Sequence, residues 1–316
     1  MCPLITEDPM KLLRTPDERF RDLPDFPFAP HYTDVTDPDT GSKPVRIHFL
    51  DEGPTDGPVV LLLHGEPSWC FLYRTMIPPL VAAGFRCIAP DLVGFGRSDK
   101  PTDRNDHTYA RHVEWLREAL FDSLDLRDVN LFAQDWGGLL GLRLVGEHPD
   151  RFARIIVANT GMGTGDKPAQ EGFLAWRKFS QETPVFDVGK IIAGGCTTSL
   201  PDEVIDAYNA PFPDETFKEA ARMMPTLVPG SPDDPASQAN RDAWAVLATF
   251  DRPLLTLFSD RDPVTMGGER AFQFKVPGAA GQPHTTIEGA GHFLQEDAGP
   301  VIARHVVDFI ASTPAV

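Results

Sequence analysis

The stretch VNLFAQDWGGLLG, residues 129–141, decides the fold of this chain. It begins as a short apolar run typical of a buried strand and ends as a segment rich in Leu and Gly that predicts a helix. Between these parts, Ala133-Gln134-Asp135-Trp136-Gly137 places small residues two positions before and two positions after an acid. This pattern predicts a nucleophile elbow, a sharp strand-to-helix turn that lifts one side chain clear of a sheet. The lifted side chain is Asp135, where Ser is more usual.

The segments around the elbow predict a parallel sheet with helices on both faces, because short apolar strands alternate with amphipathic helices. Besides the elbow strand, strands are predicted at residues 31–36, 45–51, 59–63, 86–90, 154–158, 253–259 and 285–288. Besides the elbow helix, helices are predicted at residues 74–83, 109–124, 242–249 and 301–311.

The alternation stops between about residue 161 and residue 240. This segment has no pattern of a buried strand, and its amphipathic helical pieces are interrupted by prolines. We therefore expect three parts: residues 1–160 form the first part of the core, residues 161–240 form a helical cap, and residues 241–316 form the second part of the core.

The composition narrows the class of ligand. A net charge of −17 argues against nucleic acid or an anionic membrane surface and favours a small neutral ligand. Four cysteines, Cys2, Cys70, Cys87 and Cys196, lack the spacing of a zinc site, and His107 and His112 have no convincing metal partners. We expect a cytoplasmic monomer with free thiols that needs no metal and no cofactor.

Three chemically active residues follow predicted strands. The carboxyl ends of parallel strands meet at one edge of a sheet, and function gathers there. Asp135 follows the elbow strand, Asp262 follows residues 253–259, and His292 follows residues 285–288. An acid at the elbow, a second acid and a late histidine occur in the order nucleophile, acid, base that is typical of the α/β-hydrolase fold.

Five motifs carry a narrower resemblance. They are HGEPSW at 64–69, DLVGFGRSDKP at 91–101, QDWGG at 134–138, FSDRDP at 258–263 and GAGHFLQE at 289–296. In order and spacing they resemble the haloalkane dehalogenases of the α/β-hydrolase superfamily, in the subgroup whose catalytic acid follows the cap. The resemblance implies a mostly parallel eight-stranded sheet with an inserted helical cap. It also implies hydrolysis of a haloalkane to an alcohol, a halide ion and a proton.

The chemistry of an acid at the elbow supports this resemblance independently. A Ser hydroxyl that displaced a leaving group from a saturated carbon would form an ether, which water does not cleave. A carboxylate forms an ester, which water can hydrolyse. An aspartate is normally ionised at neutral pH, so Asp135 needs no base for its attack. We expect His292 to act as the base on water, with Asp262 holding its tautomer.

The position of the second acid has alternatives. Asp260 lies two residues before Asp262, and the usual strand and loop length of the family favours Asp262. Some relatives place the acid where this chain has Asn159. An asparagine is neutral and cannot offset the charge of an imidazolium ion, so we expect the later position.

A departing halide needs donors without competing acceptors, and the indole N–H of Trp only donates. Trp136 follows the nucleophile directly, and the resemblance assigns the second donor to Trp176. The oxyanion of the ester step is expected to bind the backbone N–H groups of Trp136 and Glu66. The sequence leaves open whether the Glu66 side chain is buried and protonated or solvated. The expected lining of an apolar substrate pocket consists of Phe173, Leu139, Phe179 and Phe186.

Two other functions are compatible with this fold. An epoxide hydrolase shares the acid at the elbow but usually needs two tyrosines in the cap, and residues 161–240 contain only Tyr208. A non-catalytic binding protein of the same fold would have no use for Asp135, Asp262 and His292 together. Trp69, Trp115 and Trp244 are expected to be packing residues.

Overall fold

The structure is a computed structural model that describes residues 10–41 and 44–314. Its centre is an eight-stranded sheet. The strands are β1 (His31–Thr36), β2 (Pro44–Glu52), β3 (Val59–Leu63), β4 (Arg86–Pro90), β5 (Val129–Gln134), β6 (Phe152–Ala158), β7 (Leu254–Ser259) and β8 (Thr285–Ile287). Their spatial order is β8-β7-β6-β5-β3-β4-β2-β1. Strand β2 pairs antiparallel with β1 and β4, and all other neighbouring strands are parallel, so the sheet is mostly parallel, as the sequence predicts.

The central strands are buried on both faces. Every residue of β5 and β6 is buried, which explains their continuous apolar sequence. The bounds predicted for β1, β3 and β4 agree with the structure. Strand β6 begins two residues earlier than predicted, because Phe152 and Ala153 are also buried in the sheet.

Ten α-helices surround the sheet. They are α1 (Ile77–Ala82), α2 (Tyr109–Arg117), α3 (Trp136–Glu147), α4 (Glu171–Glu182), α5 (Val188–Gly194), α6 (Asp202–Asn209), α7 (Glu219–Leu227), α8 (Ser237–Leu247), α9 (Glu269–Lys275) and α10 (Leu294–Ser312), counted over the described residues. None of these helices is long and apolar enough to cross a membrane.

Four helices differ from the sequence prediction in their bounds. Helix α2 ends at Arg117 and continues as a π-helical segment, Glu118–Ser123, where one helix is predicted. Helix α8 begins five residues before the predicted residue 242.

Helix α1 is shorter at its start, because a 3-10 turn, Cys70–Tyr73, precedes it. Helix α10 begins seven residues before the predicted residue 301 and is kinked at Ala298, ahead of Pro300. Proline lacks an N–H and clashes with the preceding turn, which accounts for a kink there.

Helices α4 to α8 lie between β6 and β7 in the chain, in the segment where no buried strand is predicted. Helix α8 runs across residue 240 and contacts the core through the hydrogen bond from Arg143 of α3 to Asn240, 3.2 Å long. The division into residues 1–160, 161–240 and 241–316 stays a prediction.

Candidate active site

The turn between β5 and α3 has the geometry of the predicted elbow. Asp135 has φ 50° and ψ −125°, a backbone conformation with positive φ that residues other than glycine rarely adopt. A Cβ atom at Gly137 would collide with the carbonyl oxygen of Leu63, and one at Gly65 would collide with the Asp135 side chain. The small residues are therefore required because neighbouring strands and loops approach the turn closely.

The structure brings the predicted nucleophile, acid and base together. The Nδ1 atom of His292 lies 3.0 Å from Oδ2 of Asp262, and its Nε2 atom lies 3.5 Å from Oδ2 of Asp135. Asp262 is fully buried. Its carboxylate also accepts hydrogen bonds from the N–H of Val264 at 2.8 Å and from the N–H and hydroxyl of Thr265. These donors fix the carboxylate in the orientation that faces His292.

The two alternative positions for the acid have other partners. Asp260 is partly exposed and accepts a 2.7 Å hydrogen bond from the N–H of Gly289. Asn159 is fully buried, and its amide donates to the carbonyl oxygens of Gly291 and His292, both at 3.0 Å. Asn159 thus holds the loop that carries the histidine, a contact that sequence reasoning missed.

The charges of this group shift the pKa values of His292 and Asp262. Burial would lower the pKa of His292, but the carboxylates of Asp262 and Asp135 outweigh it and raise the pKa to about 10. Burial would raise the pKa of Asp262, but the charge and hydrogen bond of His292 lower it to about 2. In the free protein the imidazolium ion is therefore stabilised between two carboxylates.

Gln134, at the end of β5, is a further neighbour of the histidine. Its Nε2 atom lies 3.2 Å from Nε2 of His292 and donates to the carbonyl oxygen of the same residue at 3.2 Å. Its position directly before Asp135 is the one signal by which the sequence could have indicated this contact.

Glu66 contacts Asp135 through its backbone and Trp176 of α4 through its side chain. Its N–H donates to Oδ1 of Asp135 at 2.7 Å, and its role as a donor to the oxyanion stays a prediction. The carboxyl group is buried, and its Oε2 atom accepts a 3.2 Å hydrogen bond from the indole N–H of Trp176. Burial, and then the charge of Asp135, raise the pKa of Glu66 well above its usual value. The Glu66 side chain is thus buried rather than solvated.

A cavity of about 1250 Å³ lies over the elbow. The residues on its wall include Glu66, Asp135, Trp136, Trp176 and His292. Of the residues predicted to line an apolar pocket, Leu139, Phe173 and Phe179 do so.

Phe186 has a different place from the one expected. It is fully buried, and its ring packs edge-on against Trp176 at 5.9 Å between ring centres, so it supports that indole from behind instead of lining the cavity. Tyr208 is also absent from the cavity wall. It is fully buried, and its hydroxyl donates to Glu296.

The other three tryptophans either pack in the core or donate their indole N–H to a backbone carbonyl oxygen. Trp69 and Trp115 are buried in the core. Trp244 lines the cavity, but its indole N–H donates to the carbonyl oxygen of Met162 at 2.8 Å.

One buried group of possible metal ligands occurs in the described part of the chain, formed by His48, Cys70 and Asp91. Its carboxylate already accepts hydrogen bonds from the His48 ring at 2.7 Å and from the N–H groups of Cys70 and Arg97, each at 2.8 Å. This network ties β2 to the loops after β3 and β4, which is a structural role. Cys70, Cys87 and Cys196 are free thiols, and Cys2 lies outside the described residues.

Curated proteins match the sequence along nearly its whole length. A family model for the alpha/beta hydrolase fold matches residues 58–185. The haloalkane dehalogenase of Psychrobacter cryohalolentis is 59% identical over 305 residues, which cover 96% of this chain and 100% of that protein. The haloalkane dehalogenase of Mycobacterium marinum is 49% identical over 300 residues, which cover 95% of this chain and 100% of that protein.

A solved structure has the same architecture. The tetrameric haloalkane dehalogenase DpaA from Paraglaciecola agarilytica superposes with a TM-score of 0.88 at 34% identity. The superposition covers 97% of this chain and 100% of that one.

Proposed function

The chain belongs to the haloalkane dehalogenase family, hydrolases of carbon–halogen bonds with the α/β-hydrolase fold, and we propose that Asp135 is the nucleophile of a two-step reaction. The net reaction converts a haloalkane and water to an alcohol, a halide ion and a proton. The observation that carries the proposal is the position of Asp135, between a backbone donor at 2.7 Å and a histidine at 3.5 Å.

In the first step a carboxylate oxygen of Asp135 attacks the carbon that bears the halogen. Oδ1 is held by the N–H of Glu66, so Oδ2 forms the new bond to carbon while Oδ1 becomes the carbonyl oxygen of the ester. The halide leaves with the electrons of the carbon–halogen bond. The indole N–H groups of Trp136 and Trp176 stabilise it, because both side chains line the cavity beside the elbow.

In the second step water attacks the ester carbonyl carbon and gives its proton to Nε2 of His292. Alkylation converts the carboxylate of Asp135 to a neutral ester and thereby removes one of the charges that raise the pKa of His292. The histidine then loses its proton to solvent and becomes a base, while Asp262 still holds Nδ1. The oxyanion that forms on Oδ1 is stabilised by the N–H of Glu66 and, we propose, by that of Trp136. When this intermediate collapses, the bond between the carbonyl carbon and Oδ2 breaks, and the alcohol leaves with Oδ2 and the proton held by His292.

The test is to trap the ester. The variant His292→Phe should release one equivalent of bromide from 1,2-dibromoethane and then stop, with an alkyl adduct on Asp135 found by mass spectrometry of the peptide. A variant that forms no adduct, beside an active wild type, would overturn the two-step scheme.

Opening of an epoxide is the alternative for an acid at the elbow. It usually needs tyrosine hydroxyls of the cap to protonate the epoxide oxygen. Tyr208, the one tyrosine of residues 161–240, is buried outside the cavity wall, and its hydroxyl donates to Glu296. The indoles of Trp136 and Trp176 line the wall and suit a departing halide, so dehalogenation fits the cavity better.

We propose further that residues 161–240 act as the cap that closes the cavity, and that the protein works as a monomer in the cytoplasm. The free thiols of Cys70, Cys87 and Cys196 suit a reducing compartment. The substrate is proposed to be a small neutral haloalkane, because the apolar side chains of Leu139, Phe173 and Phe179 line the cavity.

A further inference from the structure

The side chain of Glu66 is a buried group that the two-step scheme does not use. The scheme needs only its backbone N–H, which donates to Oδ1 of Asp135. The Glu66 side chain nevertheless lines the cavity, and the residue is 3% exposed. A second negative charge at this place, beside Asp135, would repel the departing halide ion.

The hydrogen bonds of this carboxyl group do not suit an ionised acid. Oε2 accepts a single bond, from the indole of Trp176 at 3.2 Å, and Oε1 is buried without a hydrogen-bond partner in the described part of the chain. A buried carboxylate normally has several donors, and an oxygen without one is costly when charged.

Of the groups around the carboxyl, the carboxylate of Asp135 favours its neutral form, whereas the indole of Trp176 and the ring of His292 favour its ionised form. Burial and the charge of Asp135 outweigh the other two groups, so the neutral form is favoured. Two carboxyl groups that share one buried site do not both ionise readily. Asp135 has both the N–H of Glu66 and the histidine as partners, so it holds the negative charge, and the pKa of Glu66 is raised by burial and by that charge.

We propose that Glu66 is a neutral acid in the working enzyme and that its proton keeps the indole N–H of Trp176 free to move from Oε2 to the halide. Glu66 is in this sense a positioning residue, since it acts on the halide through Trp176. The proposal rests on the proposed function, in particular on the halide role of Trp176.

The physical reason is the strength of the hydrogen bond from Trp176 to Glu66, which must break before the indole can bind the halide. A hydrogen bond from an indole to a neutral carboxyl oxygen is about half as strong as one to a carboxylate, so a halide can replace the neutral acceptor. An ionised Glu66 would both retain the indole and repel the halide.

The test is infrared difference spectroscopy of the carbonyl stretch of protonated carboxyl groups at neutral pH, with and without bromide. The free wild type should have a band that is lost in Glu66→Gln, and bromide should shift this band to higher frequency as the indole leaves Oε2. In Trp176→Phe the band should already lie at the higher frequency, and bromide should leave it unmoved. Trp115→Phe, which removes an indole outside the cavity, should behave like the wild type.

Absence of a Glu66 band, or a band that bromide does not shift in the wild type, would overturn the proposal. Release of bromide from 1-bromobutane, measured on the same preparations, separates the two hypotheses. An active enzyme without the band refutes the role of Glu66 alone, whereas an enzyme that neither binds nor releases bromide refutes the proposed function.

Discussion

At the scale of single residues, the site consists of charges that compensate one another. His292 lies between Asp135 and Asp262, and no other cationic side chain of the described residues lies within 4 Å of either carboxylate. Conversion of Asp135 to an ester therefore changes the charge state that His292 prefers. In the proposed scheme this one electrostatic contact links the two steps of the reaction.

Asp262→Asn tests the contribution of the second acid. The change leaves the imidazolium of the second step without its buried partner, so we expect ester hydrolysis to slow by about 10²- to 10⁴-fold, while the first step remains and the ester accumulates. Single-turnover kinetics measure both steps. The matched control is Asp260→Asn, two residues away and bonded to Gly289, which should hydrolyse the ester at the wild-type rate. Equal losses in the two variants would contradict this assignment.

Asp135→Asn tests the electrostatic link, because the amide is neutral as the ester is. The pKa of His292 should fall from about 10 in the wild type by about one to three pH units, since one of the two carboxylates that raise it is gone. A pH titration of the imidazole followed by NMR gives both values. The rate of ester hydrolysis should accordingly rise with pH through the lowered pKa of the ester form. An unchanged pKa in Asp135→Asn would show that the charge of Asp135 does not control the base.

At the scale of secondary-structure elements, the strands and the elbow could be predicted because their signals are local. Apolar runs mark β3 and β4, and small residues two positions from Asp135 mark the turn. The contacts of Gln134 and Asn159 with the histidine depend on how separate strands are placed side by side, and the sequence holds no signal for them beyond the position of Gln134 next to Asp135. The position of Phe186 behind Trp176 likewise depends on packing within the inserted helices.

Gly137→Ala tests the close packing of the elbow. Its Cβ would collide with the backbone of Leu63, so we expect the free energy of unfolding to fall by ~1–3 kcal/mol, together with a loss of activity. Gly194→Ala, at the end of α5, is the control, since its Cβ meets no atom within 4 Å and alanine favours a helix. Urea unfolding of both variants gives the comparison, and equal stability would count against the close approach of β3 to the turn.

At the scale of the whole molecule, the parallel sheet brings distant parts of the sequence together. Asp135, Asp262 and His292 follow β5, β7 and β8, and they meet because the carboxyl ends of these strands lie at one edge. The chain order of the three residues predicted this meeting. The distances and the burial of Glu66 could be known only from the folded structure.

The oligomeric state belongs to the same scale. A net charge of −17 opposes the association of identical copies, so we expect a monomer by light scattering at low ionic strength. DpaA from Paraglaciecola agarilytica is tetrameric, which makes the measurement informative. A tetramer mass at low salt would contradict the expectation.

The central claim is that an oxygen of Asp135 bonds to the substrate carbon and is later exchanged with water. Single-turnover reaction with excess enzyme in heavy-oxygen water measures this directly, with the peptide that contains Asp135 analysed by mass spectrometry. The two-step scheme predicts heavy oxygen in the Asp135 carboxylate and an alcohol that carries the original light oxygen of that side chain. An unlabelled Asp135 together with a heavy-oxygen alcohol would mean that water attacks the substrate directly, and would contradict the account.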